Sequence, residues 1–259
     1  MTIADETPTT VPESVTDAVR GARRVLVLSG AGMSAESGVP TFRDAQTGLW
    51  EQFDPSELAT AEAFRLDPPF VWAWYAWRMR LVRDVEPNAG HRALAELADL
   101  REVTIATQNV DDLHERAGSS VAAHLHGSLF ELRCSECATP YAGDVELPAE
   151  PVERIDPPTC PRCEGEVRPG VVWFGEMLPV PAIEATERAI EALEPGDVVL
   201  VIGTSGIVYP AAGYPAMALA EGATVIEINP ADTEISDMCH HHVRGPAAQV
   251  LPRVVEAVR

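Results

Sequence analysis

Four short apolar runs, each opening onto small or amide-bearing residues, set the tightest limit on how this chain can fold. RVLVLS (24–29) runs into Gly30, and EVTIA (102–106) leads to Gln108 and Asn109. DVVLVI (197–202) runs into Gly203, and ATVIEI (223–228) runs into Asn229. Such continuous Val, Ile and Leu leaves no polar face, which suits parallel strands covered on both sides. Between the runs lie helix-patterned segments, GHRALAELADL (90–100), PAIEATERAIEAL (181–193) and YPAMALAEG (214–222). Strands alternating with helices predict a doubly wound α/β sheet. In such sheets ligands gather at the carboxyl ends of the strands, which is where these polar residues fall.

Two segments interrupt the alternation. Residues 45–85 are helical in pattern and aromatic, and residues 128–172, proline-rich and carrying two C-x-x-C pairs, read as a loop-rich insert. The expected organisation is a parallel-sheet domain built from 13–44, 86–127 and 173–259. A smaller lobe is expected from the helical insert 45–85 and the cysteine-bearing module 128–172, with 1–12 as a flexible tail. No apolar run reaches the ~20 residues of a membrane helix. The opening MTIADETPTT lacks the basic and apolar regions of a secretory signal, so a cytoplasmic location is expected.

Charge removes further classes. The formal net charge is −21, and all 19 cationic side chains are arginine, with no lysine anywhere. Nucleic acids and anionic membranes are met by basic patches, so neither is an expected partner. Oligomeric state is not readable from the sequence. Such acidity suits a halophilic protein, because near 1 M salt the screening length shrinks to ~3 Å and self-repulsion stops costing stability. The melting temperature should therefore rise as KCl goes from about 0.1 M to about 2 M; a flat or falling curve under differential scanning would count against the halophilic reading. The absence of lysine also means that the chain cannot be acylated on lysine side chains of its own.

SGAGMSAES follows the first run and opens a helix pattern. Gly30, Gly32 and Ala35 fit G-x-G-x-x-A, a turn that lets backbone approach a pyrophosphate at a helix N-terminus. No acidic ribose ligand closes a second strand about 20 residues on, so a dinucleotide is compatible but ordinary hydride transfer is not supported. Cys134-x-x-Cys137 and Cys160-x-x-Cys163, separated by 22 residues, can wrap one Zn²⁺ with four thiolates. Two disulfides, disfavoured in a reducing compartment, and an iron–sulfur site are the alternatives. A closed four-thiolate shell makes such a metal structural. Cys239 with His240, His241 and His242 could chelate a stray metal but reads more readily as a solvated loop, and it is left unassigned.

FVWAWYAWRMR (70–80) puts Tyr75 and Arg78 on one helical face among tryptophans. An amphipathic helix with a snorkelling arginine is the bland explanation; the rest of the chain favours another.

Taken together, GAGMSAESGVPTFR (30–43), TQNVDDLHERAG (107–118), His126–Gly127, the four cysteines, VVWFGE (171–176), GTS (203–205) and INP (228–230) resemble the sirtuin family of NAD-dependent protein deacylases, in family order from about residue 20 onward. The resemblance implies an α/β fold in which an inverted Rossmann-like parallel sheet carries a smaller zinc-binding plus helical domain. NAD and an acylated lysine of a protein substrate would meet between the two. It implies NAD contacts at Gly30, Ala31, Gly32, Ser34, Ala35, Thr41, Phe42, Arg43, Trp50, Gln108, Asn109, Asp111, Gly203, Thr204, Ser205, Asn229, Ala231 and Ala247. Asn109 and Asp111 would grip the nicotinamide amide and a ribose. Asn229 would take the adenosine ribose, and Ala247 would meet the adenine. His126 is implied as the base that takes a proton from ribose hydroxyls after the acyl oxygen has displaced nicotinamide, with Asn109 beside it. An imidazole titrating near 6.5 suits that task. His124 reads as structural.

One sirtuin subclass carries Y-x-x-R beside the acyl tunnel and prefers acyl groups ending in a carboxylate. Tyr75-Ala-Trp-Arg78 fits that pattern, and Ala45 matches the small residue that leaves room for the acyl end. Val172, Phe174 and Gly175 are implied as further substrate contacts. The expectation is a desuccinylase/demalonylase with weaker deacetylase activity. The alternatives are mainly deacetylation, mono-ADP-ribosyl transfer, or a non-catalytic NAD-sensing or zinc-interaction module.

Overall fold

The computed structural model describes residues 10–40, 50 and 54–259. Six strands form one parallel sheet: β1 (Arg24–Ser29), β2 (Glu102–Thr107), β3 (Val121–His124), β7 (Val198–Ile202), β8 (Thr224–Asn229) and β9 (His241–Arg244). Their order is β3-β2-β1-β7-β8-β9. The chain runs outward from β1 through β2 and β3, then returns to place β7 on the other flank of β1. The crevice at this reversal is the expected ligand position of a doubly wound sheet.

Alternation within single strands explains why helices cover both faces. Val25 and Val27 of β1 join Leu200 of β7 and the apolar sides of helices Glu13–Gly21, Ala89–Ala98 and Ala247–Val258. Leu26 and Leu28 point the other way, with Val199 and Val201, against helices Val180–Glu191 and Tyr214–Ala220. Each fully buried side chain of this size contributes about 1.5–3 kcal/mol, so a strand such as Val198–Ile202, buried at every position, anchors both layers. Asn88 caps helix Ala89–Ala98: its Oδ1 accepts from the amides of Gly90 at 2.9 Å and His91 at 3.3 Å. Its Nδ2 donates to the Met33 carbonyl at 2.8 Å, tying that helix to the glycine-rich turn.

Residues 128–172 are rich in loops, as expected, but they also carry a small sheet. Strands β4 (Gly127–Cys134), β5 (Pro140–Tyr141) and β6 (Val167–Val171) form an antiparallel sheet in the order β5-β4-β6. Five of the segment's seven prolines stand outside the strands, and the other two sit where strands tolerate them. Pro140 and Pro169 lie in the two outer strands, where a missing N–H need not break a ladder. Helices Pro55–Leu58, Ala61–Leu66 and Pro68–Asp84 complete this lobe. Trp72, Trp74 and Tyr75 of the long helix share one cluster with Leu129, Val167, Val171 and Trp173. The helix starts at Pro68, behind an Asp67 side chain that accepts from the Phe70 amide at 3.2 Å.

The Cys239–His242 segment is not the solvated loop expected. His241–Arg244 adds β9 to the sheet edge, and the His240 ring Nδ1 accepts from the Val225 amide at 3.1 Å. No helix among the described residues is long and apolar enough to cross a membrane.

Candidate active site

The two glycine turns at the reversal touch. A Cβ on Gly32 would lie 2.7 Å from the Gly203 Cα, and Gly203 itself has φ +59°. The Gly32 amide donates to the Gly203 carbonyl at 2.8 Å, and the Gly30 amide to the Ile202 carbonyl at 2.9 Å. Only bare backbone permits this crossing. It forms one wall of a cavity of about 620 Å³ that reaches across to the small lobe. Gln108 Nε2 donates to Thr204 Oγ1 at 3.1 Å, and Asn229 Nδ2 to the Thr204 carbonyl at 2.9 Å, so the ends of β2, β7 and β8 brace one another.

Past β2, a chain of hydrogen bonds fixes the polar floor. Asn109 Nδ2 donates to Ser34 Oγ at 3.0 Å, and that hydroxyl donates to Asp111 Oδ2 at 2.9 Å. The other Asp111 oxygen accepts from the Leu113 amide at 3.1 Å. Burial pushes the Asp111 carboxyl above the ordinary carboxylate range despite these donors. With its amide nitrogen engaged, the Asn109 side chain keeps its oxygen Oδ1 without a hydrogen-bond partner among the described residues. Asp111 and Asn109 are both buried, so their polar atoms are held in place rather than sampled by solvent.

His126 follows β3. Its backbone carbonyl accepts from the Val172 amide at 2.8 Å, and the next residue, Gly127, pairs with Val171. Gly127 has φ +72°, and a Cβ there would stand 2.0 Å from the Gly170 carbonyl oxygen. Burial pulls the His126 imidazole below its ordinary pKa, opposed by a hydrogen bond to the Gln108 backbone. It is therefore neutral at pH 7 and able to accept a proton. His124, read as structural, is also connected: its ring nitrogens lie 3.1 Å from the Asn109 carbonyl and 2.7 Å from Glu115 Oε1.

On the opposite wall, Tyr75 is buried and Arg78 lies beside it, with its guanidinium 5.0 Å from the Trp74 ring centroid. Burial raises the Tyr75 pKa and lowers that of Arg78; the phenol stays protonated and the guanidinium sits in poor solvent. The floor, the glycine turns, His126, Tyr75, Arg78, Val172, Phe174 and Gly175 all line the same cavity.

Of the residues expected at the cofactor, Gly30, Ala31, Gly32, Ser34, Gln108, Asn109, Asp111, Gly203, Thr204, Ser205, Asn229 and Ala231 line that cavity. Ala35, Trp50 and Ala247 do not; Trp50 and Ala247 are buried in the hydrophobic clusters of the small lobe and the sheet respectively. Thr41, Phe42, Arg43 and Ala45 fall outside the described residues. The sequence reading missed Trp173, Glu176, Ile207, Val208, Tyr209, Asp232 and Thr233, all of which line the cavity. Trp173 and Glu176 stand inside VVWFGE, so the motif pointed at them and only their individual roles were unread.

In the small lobe, Cys134, Cys137, Cys160 and Cys163 place their sulfurs within 4.8 Å of one another. Separations of 3.4 Å (Cys134 to Cys163) and 3.8 Å (Cys137 to Cys160) approach the ~3.8 Å between thiolates around one tetrahedral Zn²⁺ with ~2.3 Å bonds. The donor set fits one structural zinc ion and supplies no open coordination position.

Residues 30–210 match the Sir2 family. The chain is a sirtuin. Among its relatives, the NAD-dependent protein deacylase of Mycolicibacterium paratuberculosis is 55% identical over 233 residues, covering 90% of this chain and 97% of that protein. The protein of the same name from Corynebacterium glutamicum is 48% identical over 249 residues, covering 95% of each. A Sir2 homologue solved in complex with NAD superposes with TM-score 0.87 at 42% identity, covering 97% of this chain and 95% of that one. A variant homologue solved with 2′-O-acetyl-ADP-ribose gives TM-score 0.86 at 42% identity, covering 96% and 97%. This sirtuin's own residues fit NAD on independent grounds: crossing glycine turns that a Cβ would block, and a pre-bonded Asn109–Ser34–Asp111 floor.

Proposed function

We propose that this sirtuin, an NAD-dependent protein deacylase, gives nicotinamide and O-acyl-ADP-ribose as products. We further propose that it favours acyl groups ending in a carboxylate, such as succinyl and malonyl, over acetyl. NAD supplies the glycosidic bond that is broken. Asn109 and Asp111 orient the ribose and amide end, and neutral His126 takes a proton from a ribose hydroxyl. The acyl-lysine enters from the side of Val172, Phe174 and Gly175.

One observation supports the acyl preference above the rest. Tyr75 and Arg78 line the cavity that also contains His126 and Asn109. A guanidinium desolvated by an aromatic wall gains most from a charged partner. A hydrogen bond to a charged group contributes about 1.5–3 kcal/mol, which corresponds to roughly 10- to 150-fold in discrimination. Acetyl-lysine brings no charge to it.

The test is kcat/KM on succinyl-, malonyl- and acetyl-lysine peptides of one sequence. Wild type should favour the first two, and Arg78→Met should lose about 10- to 150-fold on them relative to acetyl. A wild-type preference for acetyl would remove the subclass assignment and leave the deacylase assignment standing.

A further inference from the structure

The acyl wall contains a hydrogen bond that no reading of Tyr75 and Arg78 alone requires. The Trp173 indole N–H donates to the Tyr75 hydroxyl oxygen at 2.8 Å, with both rings buried. Trp173 is itself held on three sides. The Arg168 guanidinium stacks 3.2 Å from its ring centroid, Phe64 packs at 5.3 Å, and its backbone amide donates to Glu176 Oε2 at 2.9 Å. Arg168 grips the same carboxylate with both terminal nitrogens, at 2.5 and 2.9 Å, and donates to the Val171 carbonyl at 2.9 Å. Burial pushes the Glu176 carboxyl up, but the hydrogen bonds from Arg168 and the Trp173 amide, with the charges of Arg168 and Arg133, together bring it below the ordinary carboxylate range. The indole is thus fixed before any substrate arrives.

The consequence lies in the polarity of a phenol. Tyrosine has one O–H to give and lone pairs to accept with, whereas indole can only donate. Trp173 occupies the accepting side of Tyr75, so the hydroxyl hydrogen must find its acceptor elsewhere. Among the described residues, no acceptor takes it. Tyr75 and Arg78 face the same cavity, where a carboxylate, an acceptor-only group, takes the phenol hydrogen and complements the guanidinium charge. A phenol free to turn could equally present a lone pair, which a carboxylate disfavours.

We propose that Trp173 is a positioning residue for acyl selection: its indole N–H engages the Tyr75 oxygen and thereby commits the Tyr75 hydrogen to the carboxylate end of the acyl chain. This rests on the preference for carboxylate-ended acyl groups proposed above.

Trp173→Phe keeps an aromatic ring beneath Arg168 and removes only the N–H. The succinyl-to-acetyl ratio of kcat/KM should fall by about 10-fold in this variant, the discrimination that goes with orienting one hydrogen bond to a charged group. Tyr75→Phe should lower the ratio to a similar extent, and Trp173→Phe added to Tyr75→Phe should lower it no further, because the indole acts through the phenol. An unchanged ratio in Trp173→Phe overturns the proposal, and so does an equal loss on both substrates or full additivity of the two changes. If Trp173→Phe fails to fold, as read by its melting curve, Tyr75→Phe alone decides: an unchanged ratio there overturns the proposal. A wild type that prefers acetyl removes the acyl reading itself. An undiminished succinyl-to-acetyl ratio in Trp173→Phe removes only the positioning role.

Discussion

Replacing His126 with alanine should lower deacylation by about 10²- to 10⁴-fold, the range a general base contributes, while NAD binding measured by calorimetry stays close to wild type. The imidazole is neutral at pH 7, is hydrogen-bonded to the Gln108 backbone, and stands in the two-residue turn between β3 and β4. It lines the cavity with Asn109 and Asp111. None of the hydrogen bonds that brace the glycine turns or the Asn109–Ser34–Asp111 floor passes through its ring, so the cofactor's cradle should survive its loss. The same geometry fixes a pH signature. A base must be unprotonated to work, and burial lowers the pKa of this one. The acid limb of kcat/KM should therefore fall below the ~6.5 of an ordinary imidazole. Near-wild-type turnover in His126→Ala would refute the assignment.

Removing the metal should be the more destructive change. Apparent binding free energies of about 10–16 kcal/mol for structural zinc match or exceed the ~5–15 kcal/mol that holds a whole domain folded. Cys160→Ser, which strips one buried ligand, should yield protein with little zinc by elemental analysis. Amides of β4 and β6 should lose protection in hydrogen exchange, while those of β1 and β7 stay protected by the main core. Activity should go with the metal, although four thiolates leave it no chemistry to perform. The route is β4 itself, which begins at Gly127, beside His126, and ends at Cys134. Persistent protection of β4 and β6 in a zinc-free variant would contradict this.

The large sheet was legible because its strands are continuous apolar runs with both faces covered. β7 is the extreme case, and its expected span matches within one residue. β3 and β9, four residues each, carry too little pattern to stand out. They are held by pairing with β2 and β8, a tertiary fact that local sequence does not carry. The antiparallel sheet of the small lobe was obscured for another reason. Its β4 alternates only weakly between buried and exposed positions, and its prolines masked β5 and β6. At the candidate site, short motifs at strand ends marked the glycine turns, Asn109, Asp111 and His126. Partners brought in from distant segments were invisible. The hydrogen bond from Trp173 to Tyr75 spans 98 positions in the chain, and nothing in either neighbourhood announces it. Ala247 shows the converse: its backbone is packed against Gly90 and its side chain is buried in the core, so position in a motif did not translate into a place on the cavity.

β4 and β6 run side by side, so the segment between them leaves and re-enters the molecule through adjacent doorways. Lengthening the mostly exposed stretch 149–153, which lies between Leu147 and Ile155 on the small-lobe cluster, shifts neither doorway, and the cost of a longer tether grows only with the logarithm of its length. That stretch is accordingly a natural splice point, at which a reporter or targeting peptide could be grafted without disturbing the imidazole at the strand's far end.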